Sequence, residues 1–239
     1  MGYSYISSVV LVISLSGEKM REIFPKVFKI KRQISTENLV PGSSVYGEKR
    51  ISEGNVEYRL WDPYKSKLAA AIANGLKHMP IKRNQTVLYL GIAQGTTASH
   101  ISDIVGEKGL VIGIEISPKP FEKLLELCEE RKNIIPILGD ANRPEDYREF
   151  VEKVDIVYQD VSQKNQGEIL LKNVRLYLKK NGFAIIVIKA RSIDVVKEAD
   201  EIFKKEIKIL EKEMGVLEVV SLRPYDKDHI LVVLRPKQH

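Results

Sequence analysis

Cysteine and long apolar runs are both scarce in this sequence of 239 residues. Cys128 is the single cysteine, which excludes an intrachain disulfide and a metal cluster built on cysteines, and fits a reducing, cytoplasmic compartment. The apolar run at 9–13 is far shorter than the ~20 residues that a membrane span needs, so we predict no membrane segment. We interpret this run as a strand; the alternative is part of a signal peptide.

The charge composition is that of an ordinary globular protein with a moderate excess of positive charge. Hydrophobic residues make up 44% of the chain and charged residues 29%, a balance that predicts a folded protein. The 38 Lys and Arg against 32 Asp and Glu give a net charge of +6, which suits a polyanionic partner such as RNA. Because the charges are spread through helical stretches such as 198–212, they are more typical of solvated helix faces than of a binding strip.

The N-terminal part of the chain has the pattern of a small β-rich unit. Short β-branched or alternating stretches at 9–15 and 27–30 favour strands, and Pro41 followed by Gly42 predicts a turn. The length of the chain suits one large domain plus a small one. We therefore predict a small β-rich domain over 1–55 and a larger domain over 56–239.

From residue 64 onward, stretches with helical spacing alternate with short apolar runs. Leu68, Ala71, Ile72 and Leu76 recur at helical spacing, and a buried-strand pattern follows at 87–90. Further strands are predicted at 110–116, 134–138, 154–158 and 183–188, separated by helices at 97–105, 118–131, 144–151 and 168–178. This alternation favours an α/β fold, in which helices cover both faces of a mostly parallel sheet.

The last third of the chain is predicted to close the sheet with an antiparallel strand. A long charged helix is expected at 192–214. Two strands at 217–222 and 230–234 are joined by a turn-like segment at 223–229, which is the pattern of a hairpin.

Two glycines mark the point where the first strand of the predicted sheet ends and a helix begins. Residues 88–97 read LYLGIAQGTT, with Gly91 and Gly95 four positions apart. Glycine at such a point lets a ligand approach the backbone closely. The spacing does not match the G-x-G-x-x-G fingerprint of dinucleotide-binding proteins, and no Gly-Lys-Ser/Thr follows as in a P-loop. Taken alone, the motif is also what a structural turn requires.

Acidic residues follow the next two predicted strands. Glu115 lies twenty positions after Gly95, where a carboxylate can accept hydrogen bonds from a ribose diol. Asp140 follows the third strand and is placed to accept a hydrogen bond from an exocyclic amine such as adenine N6. Because ligands of open α/β sheets lie outside the carboxyl ends of the strands, the three motifs together predict an adenosyl ligand.

Charged residues also end the fourth and fifth strands. Asp160 follows the apolar run at 154–158, and Lys189 follows the run at 183–188. A carboxylate and an ammonium group are costly to bury singly. They are therefore expected either to pair with each other or to lie open to a ligand cleft.

Seven short motifs are spread along the chain between Val45 and the C-terminus. They are EYRLWDPYKSKLAAAI at 57–72, VLYLGIAQGTTASH at 87–100, SDIVG at 102–106, NIIP at 133–136, DVSQ at 160–163, IKARSID at 188–194 and PYDKDH at 224–229. Together these motifs resemble those of the fibrillarin family, in particular its archaeal members. The chain departs from the family in the glycine loop, where Ala93 and Gln94 stand in place of Ala-Ser. The first forty residues match the family less well.

The resemblance implies a seven-stranded, Rossmann-like methyltransferase sheet that binds S-adenosylmethionine and requires no metal. Thr96 and Thr97 open a helix, where backbone donors favour the methionine carboxylate of the cofactor. Gln163 is expected beside the sulfonium. The implied cofactor-binding residues are Gly91, Ala93, Gly95, Thr96, Thr97, Glu115, Ile116, Asp140, Ala141, Asp160 and Gln163.

The resemblance also implies a catalytic set formed by Lys67, Asp160, Lys189 and His229 around a target ribose. Lys189 is our choice of general base for the ribose 2′-OH, with Asp160 orienting it and Lys67 positioning the ribose. His229 completes the hydrogen-bond set, although Asp228 could fill that position instead. Outside this resemblance, Lys67 has the character of an ordinary solvated lysine.

The function implied is ribose 2′-O-methylation of rRNA, and possibly tRNA, inside a ribonucleoprotein particle. The implied partners are a Nop-type scaffold protein, a kink-turn-binding ribosomal-type protein, a box C/D guide RNA and the target RNA. Two alternatives remain open from the sequence: a subunit with a methyltransferase fold that binds RNA without catalysing, and a methyltransferase for small molecules or proteins.

Overall fold

The computed structural model describes residues 20–237, which form two β-sheets and the helices that cover them. The strand predicted at 9–15 lies outside the described residues. The first sheet has five antiparallel strands in the order β1-β2-β3-β5-β4. Their bounds are β1 Arg21–Phe24, β2 Val27–Ile30, β3 Gln33–Glu37, β4 Arg50–Glu53 and β5 Val56–Trp61.

The rest of the described chain alternates between strand and helix, as the sequence predicts. Its strands are β6 Thr86–Leu90, β7 Leu110–Glu115, β8 Ile134–Leu138, β9 Val154–Gln159, β10 Leu178–Lys189, β11 Met214–Ser221 and β12 His229–Pro236. Its helices are α1 Lys67–Ala73, α2 Thr96–Val105, α3 Pro118–Glu130, α4 Gln166–Tyr177, α5 Ala190–Ile193 and α6 Ala199–Leu210, with a 3₁₀ turn at Pro144–Tyr147.

These strands form a seven-stranded sheet in the order β11-β12-β10-β9-β6-β7-β8. Strand β12 is antiparallel to both of its neighbours, and the other adjacent pairs among β6 to β10 are parallel. Alternate residues of the central strands point to opposite faces, so Val87 and Tyr89 join one core while Leu88 and Leu90 join the other. The prediction of a mostly parallel sheet covered on two faces is confirmed. The C-terminal hairpin supplies an antiparallel strand as predicted, but that strand, β12, lies between β10 and the edge strand β11.

The long helix predicted at 192–214 is wrong. The structure has the short helix α5, then α6, and strand β11 already begins at Met214. The interruption has a local cause, because the Asp194 carboxylate accepts hydrogen bonds from the backbone N–H groups of Val196 and Lys197. A side chain that binds nearby backbone N–H groups competes with helix formation. The spacing of apolar residues in the sequence gives no sign of this competition. The helix predicted at 144–151 is likewise reduced to a 3₁₀ turn at Pro144–Tyr147.

The N-terminal sheet continues past the predicted boundary between residues 55 and 56. Strand β5 pairs with both β3 and β4, so a cut at that point would separate the two strands of the β4–β5 hairpin. A division after Trp61 keeps the sheet whole. Within residues 20–237, no helix is both long and apolar enough to cross a membrane.

A buried polar cluster joins the two sheets. The Asp103 carboxylate on α2 accepts hydrogen bonds from Thr36 Oγ1 at 2.7 Å, from the Leu39 backbone N–H at 2.9 Å and from Arg131 Nη1 at 2.7 Å. Arg59, on β5, lies between two carboxylates, with its Nε 3.0 Å from Glu48 and 3.6 Å from Asp103. Because buried charges need such partners, the cluster fixes how α2 sits against the N-terminal sheet.

His100 lies in the same cluster and is completely buried. Its Nδ1 is 2.7 Å from Thr36 Oγ1, and its Nε2 is 2.8 Å from the hydroxyl of Tyr46. Since the Thr36 hydroxyl already donates to Asp103, it accepts from the Nδ1–H of His100, which leaves Nε2 as an acceptor. Burial, together with the positive charges of Arg59 and Arg131, holds the pKa of His100 well below its usual value.

We expect the protein to lose stability as the pH falls from 7 to 5. Unfolded chains bind a proton at this histidine near its ordinary pKa, whereas the folded protein does not, so the unfolding free energy decreases below about pH 6.5. The contribution has a limiting slope of about 1.4 kcal/mol per pH unit. Urea denaturation at several pH values should show this slope reduced in His100→Gln.

Tyr177→Phe is the matched control, because it removes a buried hydrogen bond, from the Tyr177 hydroxyl to Pro144 O, and a tyrosine does not titrate between pH 5 and 7. That variant should keep the slope of the parent protein. An unchanged slope in His100→Gln would contradict the assignment of the effect to the buried histidine.

Candidate active site

Five parallel strands, β6 to β10, end at the same edge of the seven-stranded sheet. The residues predicted to bind a ligand follow these strands directly. Hydrogen bonds across the edge hold the strand ends in register: the Asp160 backbone N–H donates to Leu90 O, and the Gly91 N–H donates to Ile114 O, both at 2.9 Å. The residues that follow the strands, although distant in the sequence, therefore hold fixed positions relative to one another.

The loop after β6 has an unusual backbone. Gly91, Ala93 and Gly95 all have positive φ values, of 76°, 51° and 89°. Ala93 bears a Cβ and so adopts this conformation at a cost of about 1 kcal/mol. Its backbone N–H donates to Glu115 Oε2 at 2.8 Å, which helps to hold the strained residue in place.

Both glycines are also required by close packing. A Cβ at Gly91 would lie 2.9 Å from the carbonyl oxygen of Asp160, and a Cβ at Gly95 would lie 2.3 Å from Leu127 Cδ2. The first contact brings the β6 loop against the residue that ends β9. The absence of a side chain at Gly91 thus lets Asp160 lie beside the loop.

The acidic residues of the second and third strand ends are held by local hydrogen bonds. Glu115 accepts from the backbone N–H groups of Ala93 and Ser117, each at 2.8 Å. Asp140 Oδ1 accepts from the Asn142 N–H at 2.9 Å and from Gln163 Nε2 at 3.0 Å. Within the described part of the chain, Gln163 Oε1 is buried without a hydrogen-bond partner. A buried acceptor of this kind fits a site that receives a ligand donor.

A cleft runs along this edge in two connected parts. One cavity, of about 350 Å³, is lined by the glycine loop and by Thr96 and Thr97. The other, of about 380 Å³, is lined by Ile116, Ala141 and the acidic strand ends. The residues shared by both cavities are Lys67, Gly91, Ala93 and Asp160.

The cleft has the shape and chemistry of a site for an adenosyl ligand with an amino-acid tail. Carboxylates suited to a ribose diol and an exocyclic amine line one part, and the N-terminus of α2 opens into the other. The residues present therefore fit S-adenosylmethionine. Gly95 alone among the predicted cofactor-binding residues lines neither cavity, because it packs against Leu127 and Leu124 on α3.

Asp160 lies between two lysines where the two parts of the cleft meet. Its Oδ2 is 3.1 Å from Lys67 Nζ, and its Oδ1 is 2.7 Å from Lys189 Nζ. Lys189 Nζ also donates to Asp160 O at 2.9 Å and to Ser162 Oγ at 3.0 Å. Of the two arrangements expected for Asp160 and Lys189, both are present, because the side chains pair and also line the cleft. Helix α1 brings Lys67 to Asp160 across more than ninety residues of chain.

His229 stands beside this trio rather than within it. It is the strand neighbour of Lys189 in the β10–β12 pair. Its Nδ1 contacts Asp226 Oδ1 at 2.8 Å and Lys227 O at 2.5 Å.

The alternative residue, Asp228, pairs with Arg191 and Arg223, each at 3.1 Å. These two arginines hold the pKa of Asp228 below its usual value.

Sequence patterns did not identify several residues at the cleft. Lys65, Lys119 and Lys123 line one cavity. Tyr89 lies at its floor, and burial beside Asp160 raises the pKa of its hydroxyl. Lysines just before a helix or in its first two turns resemble solvated surface residues in a sequence, so no pattern distinguishes these three. Tyr89 could have been found, since it is a polar residue in the apolar run at 87–90.

A mostly parallel sheet with one antiparallel strand next to its edge, and an adenosyl cleft at the carboxyl ends of its parallel strands, defines a Rossmann-like fold of the methyltransferase class. The family model for fibrillarin matches residues 16–238. The chain belongs to the fibrillarin family.

Three similar proteins illustrate the relationship. The fibrillarin-like rRNA/tRNA 2′-O-methyltransferase of Thermococcus sibiricus is 52% identical over 217 residues, covering 89% of this chain and 96% of its own. The fibrillarin of Aeropyrum pernix, solved with natively bound S-adenosyl-L-methionine, is 46% identical with a TM-score of 0.80, covering 87% of this chain and 92% of its own. A fibrillarin solved in complex with Nop5p is 43% identical with a TM-score of 0.84, covering 91% and 100%.

We expect Gly91→Ala to destabilise the protein more than Gly42→Ala. The φ angle is 76° at Gly91 and 91° at Gly42, so both substitutions introduce backbone strain of about 1 kcal/mol. Only the Gly91 variant adds a clash with Asp160, since nothing lies within 4 Å of a Cβ at Gly42. Chemical denaturation should show an extra loss of about 1–3 kcal/mol for Gly91→Ala. Equal losses would show that the close approach is not needed.

Proposed function

We propose that this chain is an S-adenosylmethionine-dependent RNA 2′-O-methyltransferase. The observation that carries the proposal is the placement of Asp160 between Lys67 and Lys189, where the two parts of the cleft meet. That point borders both the adenosyl side and the amino-acid side of the cleft. The family and two of the three relatives, one named a 2′-O-methyltransferase and one solved with bound S-adenosyl-L-methionine, support the same activity.

Different residues of the cleft would bind different parts of the cofactor. Glu115 would bind the ribose diol, and Asp140 the adenine amine, with Ile116 and Ala141 beside the base. Thr96 and Thr97, at the N-terminus of α2, would receive the carboxylate tail. Gln163, with its free buried Oε1, and Asp160 would lie beside the sulfonium. When bound, S-adenosylmethionine supplies an electrophilic methyl group carried by a positively charged sulfur.

Lys189 is proposed as the group that accepts the proton of the ribose 2′-OH. It ends a central strand, its side chain is 11% exposed, and its Nζ is held by Asp160 and Ser162. Three acceptor oxygens around Nζ fix its position: Asp160 Oδ1, Asp160 O and Ser162 Oγ. Lys67, on the other side of Asp160, adds a second positively charged side chain nearby.

Asp160 and Lys67 would orient the reaction. Asp160 keeps the Nζ groups of both lysines in place, and its negative charge offsets the positive charge that gathers at this point. Lys67 is more open, with 25% of its side chain exposed, and can reach a ribose entering from solvent. Positioning of the attacking oxygen in line with the methyl group would supply much of the acceleration. His229 would complete the hydrogen-bond set through its place next to Lys189.

We further propose that the target is chosen by base pairing to a box C/D guide RNA within a particle. The partners would be a Nop-type scaffold protein and a kink-turn-binding ribosomal-type protein, and the substrate would be rRNA or tRNA. The complex of a relative with Nop5p supports the first of these partners. Lys65, Lys119 and Lys123 add positive charge at the cleft, which suits an approaching phosphate backbone.

In a reconstituted guide particle with matched RNA, we expect Asp160→Ala and Lys189→Ala to abolish most methyl transfer to one ribose 2′-oxygen. Loss of a group that accepts or positions the proton lowers such rates by about 10²–10⁴-fold. Transfer of a labelled methyl group, followed by mapping of the modified nucleotide, measures the effect. The lone protein should methylate naked RNA poorly.

The chain supplies a matched control for this experiment. Asp155 on β9 pairs with Lys179 on β10 at 2.7 Å, the same distance as the Asp160–Lys189 pair, at the start of the same two strands. Asp155→Ala should therefore retain transfer. An assembled particle that transfers nothing with the parent protein would instead indicate a scaffold subunit.

Asp140→Asn should weaken cofactor binding by about tenfold, because it removes a negatively charged acceptor while an amide oxygen can keep the bonds to Asn142 and Gln163. Calorimetric titration with S-adenosylmethionine measures this. Asp146→Asn, at a 48% exposed side chain in the following 3₁₀ turn, is the control and should bind as the parent does. Unchanged affinity in Asp140→Asn would remove Asp140 from the site.

A further inference from the structure

The backbone of Lys189 lies beyond the end of its neighbouring strand. Strand β9 ends at Gln159, which is paired with Ile186 of β10. Strand β10 continues for three more residues, to Lys189. On its other side, β12 pairs with β10 as far as Lys189 itself. On the β9 side, within the described residues, no strand meets the last N–H and C=O groups of β10.

The side chain of Gln166 takes the place of that missing strand. Its Oε1 accepts from the Lys189 backbone N–H at 2.9 Å, and its Nε2 donates to Lys189 O at 3.4 Å. A primary amide offers the same donor and acceptor as a peptide group, so it can continue a β-ladder by one step. Gln166 is completely buried, so water does not reach the two hydrogen bonds. If the amide were removed, the Lys189 N–H and C=O groups would lose these partners without water to replace them.

Gln166 is itself held on both sides. The Gln159 side chain donates through Nε2 to Gln166 O at 2.7 Å, which ties the start of α4 to the end of β9. The next residue, Gly167, donates its N–H to the buried carboxylate of Glu206 on α6 at 2.8 Å. A Cβ at Gly167 would lie 2.9 Å from that carboxylate, so the helix start has little freedom to move.

We infer that Gln166 is a positioning residue for the proposed reaction: its side-chain amide fixes the backbone of Lys189 and so places Lys189 Nζ against Asp160 and Ser162. The inference rests on the proposed function of Lys189. Gln166 contacts the lysine through the main chain only and lies outside the cleft lining. Strands β9 and β10 are not paired beyond Gln159 and Ile186. Gln159 and Gln166 therefore link the end of β9 to the backbone of Lys189.

Two substitutions test the inference at different strengths. Gln166→Met keeps the length of the side chain and removes both hydrogen bonds. Gln166→Glu keeps an acceptor for the Lys189 N–H and removes the donor to Lys189 O, so it tests half of the contact. Tyr177→Phe is the control, since it removes a buried hydrogen bond, from its hydroxyl to Pro144 O, at the far end of the same helix.

The first readout is amide hydrogen exchange of the Lys189 N–H in the protein without RNA. We expect faster exchange in Gln166→Met, near-parent protection in Gln166→Glu, and parent protection in Tyr177→Phe. Unchanged protection in Gln166→Met would overturn the inference. This readout does not depend on methyl transfer, so it decides the backbone contact even if the chain transfers nothing to RNA and the proposed function fails.

The second readout is single-turnover methyl transfer in the reconstituted particle, at saturating S-adenosylmethionine and below the melting temperature of every variant. Gln166→Met should lower the rate by about tenfold to a hundredfold, the range for a small misplacement of a reacting group. Cofactor affinity should stay within about twofold, and Gln166→Glu should recover part of the rate. A full rate in Gln166→Met, or an equal loss in Tyr177→Phe, would show that Gln166 has only a structural role.

Discussion

The structure depends on one buried carboxylate, that of Asp103. It receives hydrogen bonds from the N-terminal sheet, through Thr36 and Leu39, and from Arg131 at the end of α3. Helix α2, which carries Asp103, begins with the threonines that line the cleft. Removal of one partner from such a buried cluster costs about 3–5 kcal/mol, because it leaves an uncompensated charge. The small sheet therefore holds α2 and the glycine loop against the larger sheet.

In the candidate active site, by contrast with the buried cluster, charged side chains lie at a sheet edge that a ligand can reach. Asp160, Lys67 and Lys189 come from three separate elements and meet only because parallel strands end together and α1 packs beside them. The flexible side chains of the lysines make their positions sensitive to the backbone beneath. This explains why side chains that never reach the cleft, such as Gln159 and Gln166, matter to its geometry.

The sequence was sufficient for most of the sheet and for the strand ends, because apolar periodicity and glycine are direct physical signals of both. It failed where side-chain hydrogen bonds decide the backbone conformation, as at Asp194, which divides a predicted helix. It also could not show that β5 belongs to the N-terminal sheet, since strand pairing depends on distant residues. The role of Lys67 in the site was implied only by the family resemblance. Ser162 lies in the DVSQ motif, but no role was assigned to it, and Gln166 had no sequence signal.

The glycine loop restricts how this chain can diverge from its relatives. Gly91 and Gly95 are constrained twice, by positive φ and by neighbours that leave no room for a Cβ, whereas Gln94 between them is exposed. Substitutions should therefore accumulate at the exposed position while its neighbours stay fixed. The departure of this chain from the family's Ala-Ser at Ala93 and Gln94 falls at that permissive position, where an altered side chain changes the rim of the cleft and leaves its floor intact.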